Sequence, residues 1–335
     1  MKRIAKLMIV LVLLAMFATA CGGEKQEAAS TSGPFKVAVV MPSAINDLAF
    51  SQSMYDALLA VQTQMGGEEK FQFVYSDNMF VVEDASAAIR DYATQGYNLI
   101  IAHGSQYGAS LKEIAPDFPK TSFAWGTAGD TFGIPNIYAY EAYSQEGGYV
   151  NGVLAAALSK SNTVGVVGPI EVGDAKLYVD GFIAGAKATK PDITVNVNYI
   201  GSFSDVALAS EAAQTHIGAG ADVMTGSAQM VVGAIGVAEE KGVLWFGTQA
   251  DQSSLAPSIV VACQAYDWTV VVNDMITLIN SGTLGGKAYA LSLENNGLVI
   301  KYNSGYSLAA DVKSQGDAAI QGIKDGSITI GVGGK

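Results

Sequence analysis

Two histidines and two cysteines are all that this 335-residue chain offers for imidazole or thiol chemistry. His103 and His216 fit no HExxH-type metal spacing, and neither a GxSxG elbow nor a phosphate-binding loop occurs. Carboxylates are plentiful, but spacing alone singles out no pair for glycoside chemistry. These patterns single out no catalytic residue, metal site or cofactor. One thiol, Cys21, stands apart because of what precedes it.

Lys2, Arg3 and Lys6 form a basic start, Leu7 to Phe17 an apolar run, and Ala18-Thr19-Ala20 a small-residue step directly before Cys21. That is the anatomy of a secretory signal over residues 1–20. The apolar run falls short of the ~18–20 residues that a spanning helix needs. A cysteine at the cleavage point resembles the acceptor of the bacterial lipoprotein pathway, although that pattern has leucine where this chain has Ala18. The reading predicts a protein tethered by lipid on Cys21 to the extracytoplasmic face of the cell membrane. Gly22 to Gly33, GGEKQEAASTSG, is small, polar and aperiodic, as a flexible spacer over 21–34 would be.

Roughly 300 residues remain, comfortable for two domains. The net charge of −12 argues against nucleic acid, whose phosphates demand basic patches. With Cys21 lipidated, Cys263 has no disulfide partner and reads, within IVVAC, as a small buried hydrophobe.

Short apolar runs alternate with amphipathic stretches. Strands are predicted at 36–41, 71–75, 98–102 and 122–125, and helices at 51–64, 82–95 and 109–115. The rhythm restarts after 146, with helices at 146–159, 175–188, 205–218 and 230–240 and strands at 163–167, 194–200, 222–225, 243–246 and 259–262. Such alternation means an α/β fold of doubly wound, mostly parallel sheets, and its repetition means two similar lobes. Ligands bind beyond the carboxyl ends of such strands, so two facing lobes make a cleft. By that topology Ser105 and Tyr107, in the HGSQYG loop after the third strand, face the cleft. So do Ser227 and Gln229 after the strand ending in Thr225, and Gln249 and Asp251 after the strand ending in Phe246. The HGSQYG loop could equally be a plain turn into a helix.

The segments VAVVMPSAINDLAFSQSMYDAL (37–58), YVDGFIAGAKATKPDI (178–193), GSFSDVALASEAAQTHIGAGADVM (201–224) and FGTQADQSSLAP (246–257) resemble the basic membrane protein family of substrate-binding lipoproteins. The resemblance spans nearly the whole mature chain. It implies a type I periplasmic-binding-protein fold, two lobes joined by three crossovers, with lobe one over 35–141 plus 268–291 and lobe two over 144–266 plus 294–335. It also implies an ABC-transporter permease as partner, a small-molecule ligand, nucleosides in the best understood branch, and no enzymatic turnover. We expect a monomer.

Carried over by position, Asn46 and Asp47 would bond ligand hydroxyls or ring nitrogens, Phe50 would stack on a planar base, and Tyr178 would supply a second aromatic. Asn46 or Asp47 could instead cap a helix and Phe50 could be core. This chain departs from the nucleoside branch at two points. Gln249 stands where an aspartate suits ribose hydroxyls, unless Asp251 takes that part, and Cys263-Gln264-Ala265-Tyr266-Asp267-Trp268 contains no lysine where that branch has one. Losing both would remove much of a sugar clamp. Trp125 and Trp268, near strand or crossover ends, could enlarge an aromatic pocket or belong to the core. The ligand expected is a purine base or nucleoside, the free base favoured. An extracytoplasmic sensor module and a binder of another flat heterocycle such as a flavin are the alternatives.

Overall fold

The computed structural model describes residues 33–332; Cys21 and most of the spacer expected after it lie outside this range. In chain order the first half runs β1 (Phe35–Val40), α1 (Phe50–Met65), β2 (Phe71–Ser76), α2 (Val82–Thr94), β3 (Leu99–His103), α3 (Gly108–Ile114), β4 (Ser122–Gly126) and β5 (Ile137–Ala142). The second half repeats the pattern with α4 (Ser144–Leu158), β6 (Thr163–Gly168), α5 (Gly173–Thr189), β7 (Thr194–Tyr199), α6 (Val206–Gly218), β8 (Val223–Gly226), α7 (Val231–Lys241), β9 (Leu244–Gln249) and β10 (Val260–Tyr266). The chain ends with α8 (Thr269–Asn280), β11 (Ala288–Leu291), β12 (Leu298–Tyr302) and α9 (Ala310–Lys324).

Two six-stranded sheets result, ordered β11-β5-β4-β3-β1-β2 and β12-β10-β9-β8-β6-β7. All pairings are parallel except β10 with β12. This is the two-lobed α/β architecture expected. Strands covered by helices on both faces must be apolar throughout, and Val37 to Val40 are fully buried. The chain passes between the sheets three times: from β5 through α4 into β6, from β10 through α8 to β11, and from β11 to β12. In each sheet the strand order reverses beside the first strand of the lobe, between β1 and β3 and between β6 and β8. That reversal opens the crevice in which such folds bind ligands.

The reading from sequence overlooked β5, α8, β11, β12 and α9. Four of these lie at or beyond the crossovers, where the simple strand–helix alternation stops. β5 follows a ten-residue connection after β4, and its tyrosines and Glu141 break the run of aliphatic residues by which the other strands announce themselves.

One packing feature fixes lobe two. A Cβ on Gly148 or Gly152 of α4 would come within 2.3 or 2.1 Å of the carbonyl oxygens of Tyr178 and Phe182, and one on Gly181 or Gly185 of α5 within 2.2 or 2.0 Å of those of Gln145 and Tyr149. The two helices cross backbone to backbone through reciprocal glycines, half of them in the DGFIAGAKA segment. Gly152→Ala or Gly185→Ala is therefore expected to lower stability by about 1–3 kcal/mol through overpacking, read as a shift in the urea midpoint. An unchanged midpoint would mean that the helices separate freely.

Candidate functional site

A cavity of about 470 Å³ lies between the carboxyl ends of the two sheets. Lobe one supplies Pro42 after β1, Phe50 at the start of α1, Phe80 after β2, Gly104 to Gln106 after β3 and Thr127 after β4. Lobe two supplies Val172 to Ala175 after β6, Phe203 after β7, Ala228 and Gln229 after β8, and Gln249 at the end of β9. The wall is mostly apolar, with aromatic rings from both lobes, as a site for a flat organic ligand should be.

Phe50 is half-buried because one face of its ring is covered. The His103 imidazole stacks beneath it at 3.8 Å between centroids and 9° between planes. His103 is itself held by Tyr140 Oη on Nδ1 at 2.9 Å and by the Phe50 carbonyl oxygen on Nε2 at 3.1 Å. Trp268 meets both rings edge-on, and its Nε1 donates to Ser53 Oγ at 2.8 Å. Burial pushes the His103 pKa down to about 3, so the imidazole beneath Phe50 is neutral and serves as a platform.

The polar end of the cavity is built around Asp174, the second residue of α5. Its Oδ2 accepts from Tyr266 Oη at 2.8 Å and its Oδ1 from Thr127 Oγ1 at 3.3 Å, the latter across the cleft. Gln249 lies alongside, 4% exposed, with φ of +71° and no hydrogen-bond partner for its Oε1. A left-handed glutamine is strained and tends to persist where surroundings and function require it. A second bond across the cleft runs from Gln252 Nε2 to the Leu48 carbonyl oxygen at 3.2 Å.

Of the residues expected from sequence, Phe50, Ser105, Gln229 and Gln249 line this cavity. The others are placed elsewhere. Asp47 turns onto its own backbone and accepts from the amides of Ala49, Ser51 and Gln52, capping α1; Asn46 lies in the same loop and does not line the cavity. Tyr107 is fully buried with its hydroxyl on the Met79 carbonyl oxygen at 2.7 Å. Trp125 stacks on Phe132 and covers the start of α3. Tyr178 is fully buried, its hydroxyl bonded to Asn151 and Thr225, and Ser227 is 1% exposed with its amide on the Val167 carbonyl. Trp268 is fully buried under Phe50 as described. Asp251 is exposed and borders a separate hollow of about 330 Å³ with Asp56, Asp267 and Lys301.

Sequence reasoning did not single out Phe80, Gln106, Thr127, Asp174 or Phe203. Phe203 was within reach, since GSFSD follows β7 just where cleft loops fall. Among the described residues no cluster of three or more His, Cys, Asp or Glu side chains could hold a metal, and no helix is long and apolar enough to cross a membrane. Cys263 is buried, its thiol pKa pushed up to about 12 by desolvation.

The family described as ABC transporter substrate-binding protein PnrA-like, Bmp, matches residues 35–329. The chain belongs to the Bmp family. This Bmp protein is therefore an extracytoplasmic substrate-binding protein of an ABC transporter, a binder of small molecules that works with a permease and is not an enzyme. Among curated relatives it is 29% identical to the transcriptional activator protein med of Bacillus subtilis over 79% of this chain and 80% of that one. It is 26% identical to a purine-binding protein of Brucella abortus (78% and 73%) and 27% identical to the ABC transporter nucleoside-binding protein BmpA of Lactococcus lactis (95% and 96%). Solute-binding proteins of ABC transporter systems share the fold. That from Conexibacter woesei has a TM-score of 0.74 at 23% identity over 88% of this chain and 97% of that one, and that from Aeropyrum pernix 0.75 at 19% over 88% and 93%.

The buried imidazole of this Bmp protein makes a pH prediction. The folded-state pKa of His103, about 3, lies below its ordinary value, so its effect is absent above pH ~6.5 and stability is lost as the pH falls below that, at roughly 1.4 kcal/mol per unit. His216 and the buried carboxyls are common to wild type and variant and cancel in the comparison. Between pH 7 and 5 the wild type should lose on the order of 2 kcal/mol relative to His103→Gln, measured from urea unfolding at both pH values. Parallel curves would contradict a buried, neutral His103.

Proposed function

We propose that this protein captures a purine-type ligand, a free nucleobase or a nucleoside, between its lobes and presents it to an importer's permease. The observation that carries the reading is the pairing of Phe50, on its neutral imidazole platform, with Phe203 from the opposite lobe in one mostly apolar cavity. Two rings contributed by two lobes suit a ligand with two flat faces. The relatives named for purine and nucleoside binding support the same class. Ser105, Gln106, Gln229, Gln249, Thr127 and Asp174 are the groups we assign to its polar edge.

In this reading the ligand settles on one lobe and closure adds the other. The lobes are 35–141 with 268–291 and 144–266 with 294–335, the protein acts as a monomer, and lipid on Cys21 keeps it at the membrane. Substituting Cys21→Ser should move the protein from the membrane fraction to the soluble extracytoplasmic fraction; retention in the membrane would rule out the anchor.

Among the described residues, no lysine or arginine reaches the cavity wall and Asp251 borders the separate hollow instead, which leaves a sugar few charged partners. Calorimetry should therefore give tighter binding for a purine base than for its nucleoside. Phe50→Ala should cost about 1–3 kcal/mol of binding, the range for stacking a base on an aromatic side chain. Equal affinity in wild type and variant would return Phe50 to a purely structural role.

A further inference from the structure

The polar end of the cavity is centred on a carboxylate. Asp174 is the charged residue among the described side chains that line it, and Lys176, two residues along the same helix, is engaged with Asp180 at 2.7 Å and Glu171 at 3.6 Å. Asp174 Oδ2 accepts from Tyr266 and Oδ1 from Thr127, and the Gln249 side-chain amide gives the carboxylate a further, weaker bond; an ionised carboxylate has about four acceptor sites. Gln249 Oε1 is buried without a partner, and its amide serves Asp174 and Tyr266, so the carboxylate is the acceptor that a ligand in this cavity meets. A desolvated carboxylate with acceptor capacity left at a cavity wall favours a ligand that brings N–H donors.

We infer that Asp174 sets ligand specificity by accepting hydrogen bonds from the amino-bearing edge of the heterocycle. The site then selects purines in which a ring N–H stands beside an exocyclic amine, and rejects analogues that carry an oxygen there. Two parallel N–H groups match the two oxygens of a carboxylate, as the guanidinium fork does. Guanine offers this edge, hypoxanthine lacks the amine, and xanthine turns an oxygen toward the acceptors. Burial raises the Asp174 pKa, the mark of a carboxylate that loses solvation and gains from donors supplied by a ligand. The Tyr266 and Thr127 hydroxyls hold the carboxylate in place on two sides.

The inference rests on the purine reading above, and one titration series separates the two. Calorimetry of the purified full-length protein with guanine, hypoxanthine and xanthine, and with guanosine and inosine, should give guanine at least roughly tenfold tighter than hypoxanthine, with xanthine weakest. Asp174→Asn, which exchanges one acceptor for a donor at constant size, should bring the guanine-to-hypoxanthine ratio close to one. Tyr266→Phe, which keeps the carboxylate but releases Oδ2, should lower that ratio by a smaller factor and serves if the first variant does not fold. A uniform loss of affinity with the ratio preserved would make Asp174 a latch between lobes and overturn the proposal. A loss confined to nucleosides would assign Asp174 to the sugar and overturn it equally. No binding of any purine by the wild type would overturn the purine reading itself and the inference with it.

Discussion

The first turn of α4 is the point on which the rest of the molecule depends, because all three crossovers meet there. The helix begins directly after the first crossover, at Ser144. Its Ser144 hydroxyl lies 2.7 Å from Tyr266 Oη, at the second crossover, and the Glu146 carboxylate accepts from the Leu293 amide at 2.7 Å, at the third. Both side chains are buried, so these bonds are shielded from competing water. Three strands of chain joining two sheets could flex independently; tied to one helical turn, they bend as one hinge.

From that turn the order propagates into the cleft along two routes. Tyr266 gives its one proton to Asp174 at 2.8 Å, so Ser144 must be the donor to Tyr266, and a chain of hydrogen bonds runs from hinge to cavity with every direction fixed. The second route is steric. Gly148 and Gly152 let α4 lie directly on the backbone of α5, and α5 carries Asp174 at its start. Trp268, immediately after the second crossover, supports Phe50 and His103 by edge contacts at 6.4 and 5.5 Å between centroids. The platform in lobe one and the carboxylate in lobe two are thus both referenced to the same hinge.

Much of this was legible in the sequence because parallel sheets covered on both faces need uninterrupted apolar strands, and KVAVVM, NLIIA and TVGVV supply them. The alternation also located the cleft loops, and with them Ser105, Gln229 and Gln249. Direction within a loop was not legible. Asp47 has the right position for a ligand contact, but three backbone amides at the start of α1 compete for its carboxylate and win. Tyr178 lies on the correct helix one turn too far in, where Asn151 and Thr225 bind its hydroxyl. Asp174 was invisible for the opposite reason, since an acid in the first turn of a helix is unremarkable until Tyr266, distant by 92 residues, is brought against it.

Closure follows from how little crosses the mouth of the cleft. Among the described residues, the direct bonds that join the lobes away from the hinge are Thr127 to Asp174 at 3.3 Å and Gln252 to the Leu48 carbonyl at 3.2 Å. Hydrogen bonds of this kind contribute about 0.5–1.5 kcal/mol each, comparable to the cost of ordering the side chains that make them. Such a pair leaves open and closed forms within a few kcal/mol of each other, the balance in which a ligand has leverage. Under the proposed function, burying a flat ligand against Phe50 and Phe203 would add contact from both lobes at once, and only the closed form could make both contacts. The weakness of the protein's own bonds across the cleft is then a requirement of the design, because a strong latch would hold the lobes shut whether or not anything lay between them.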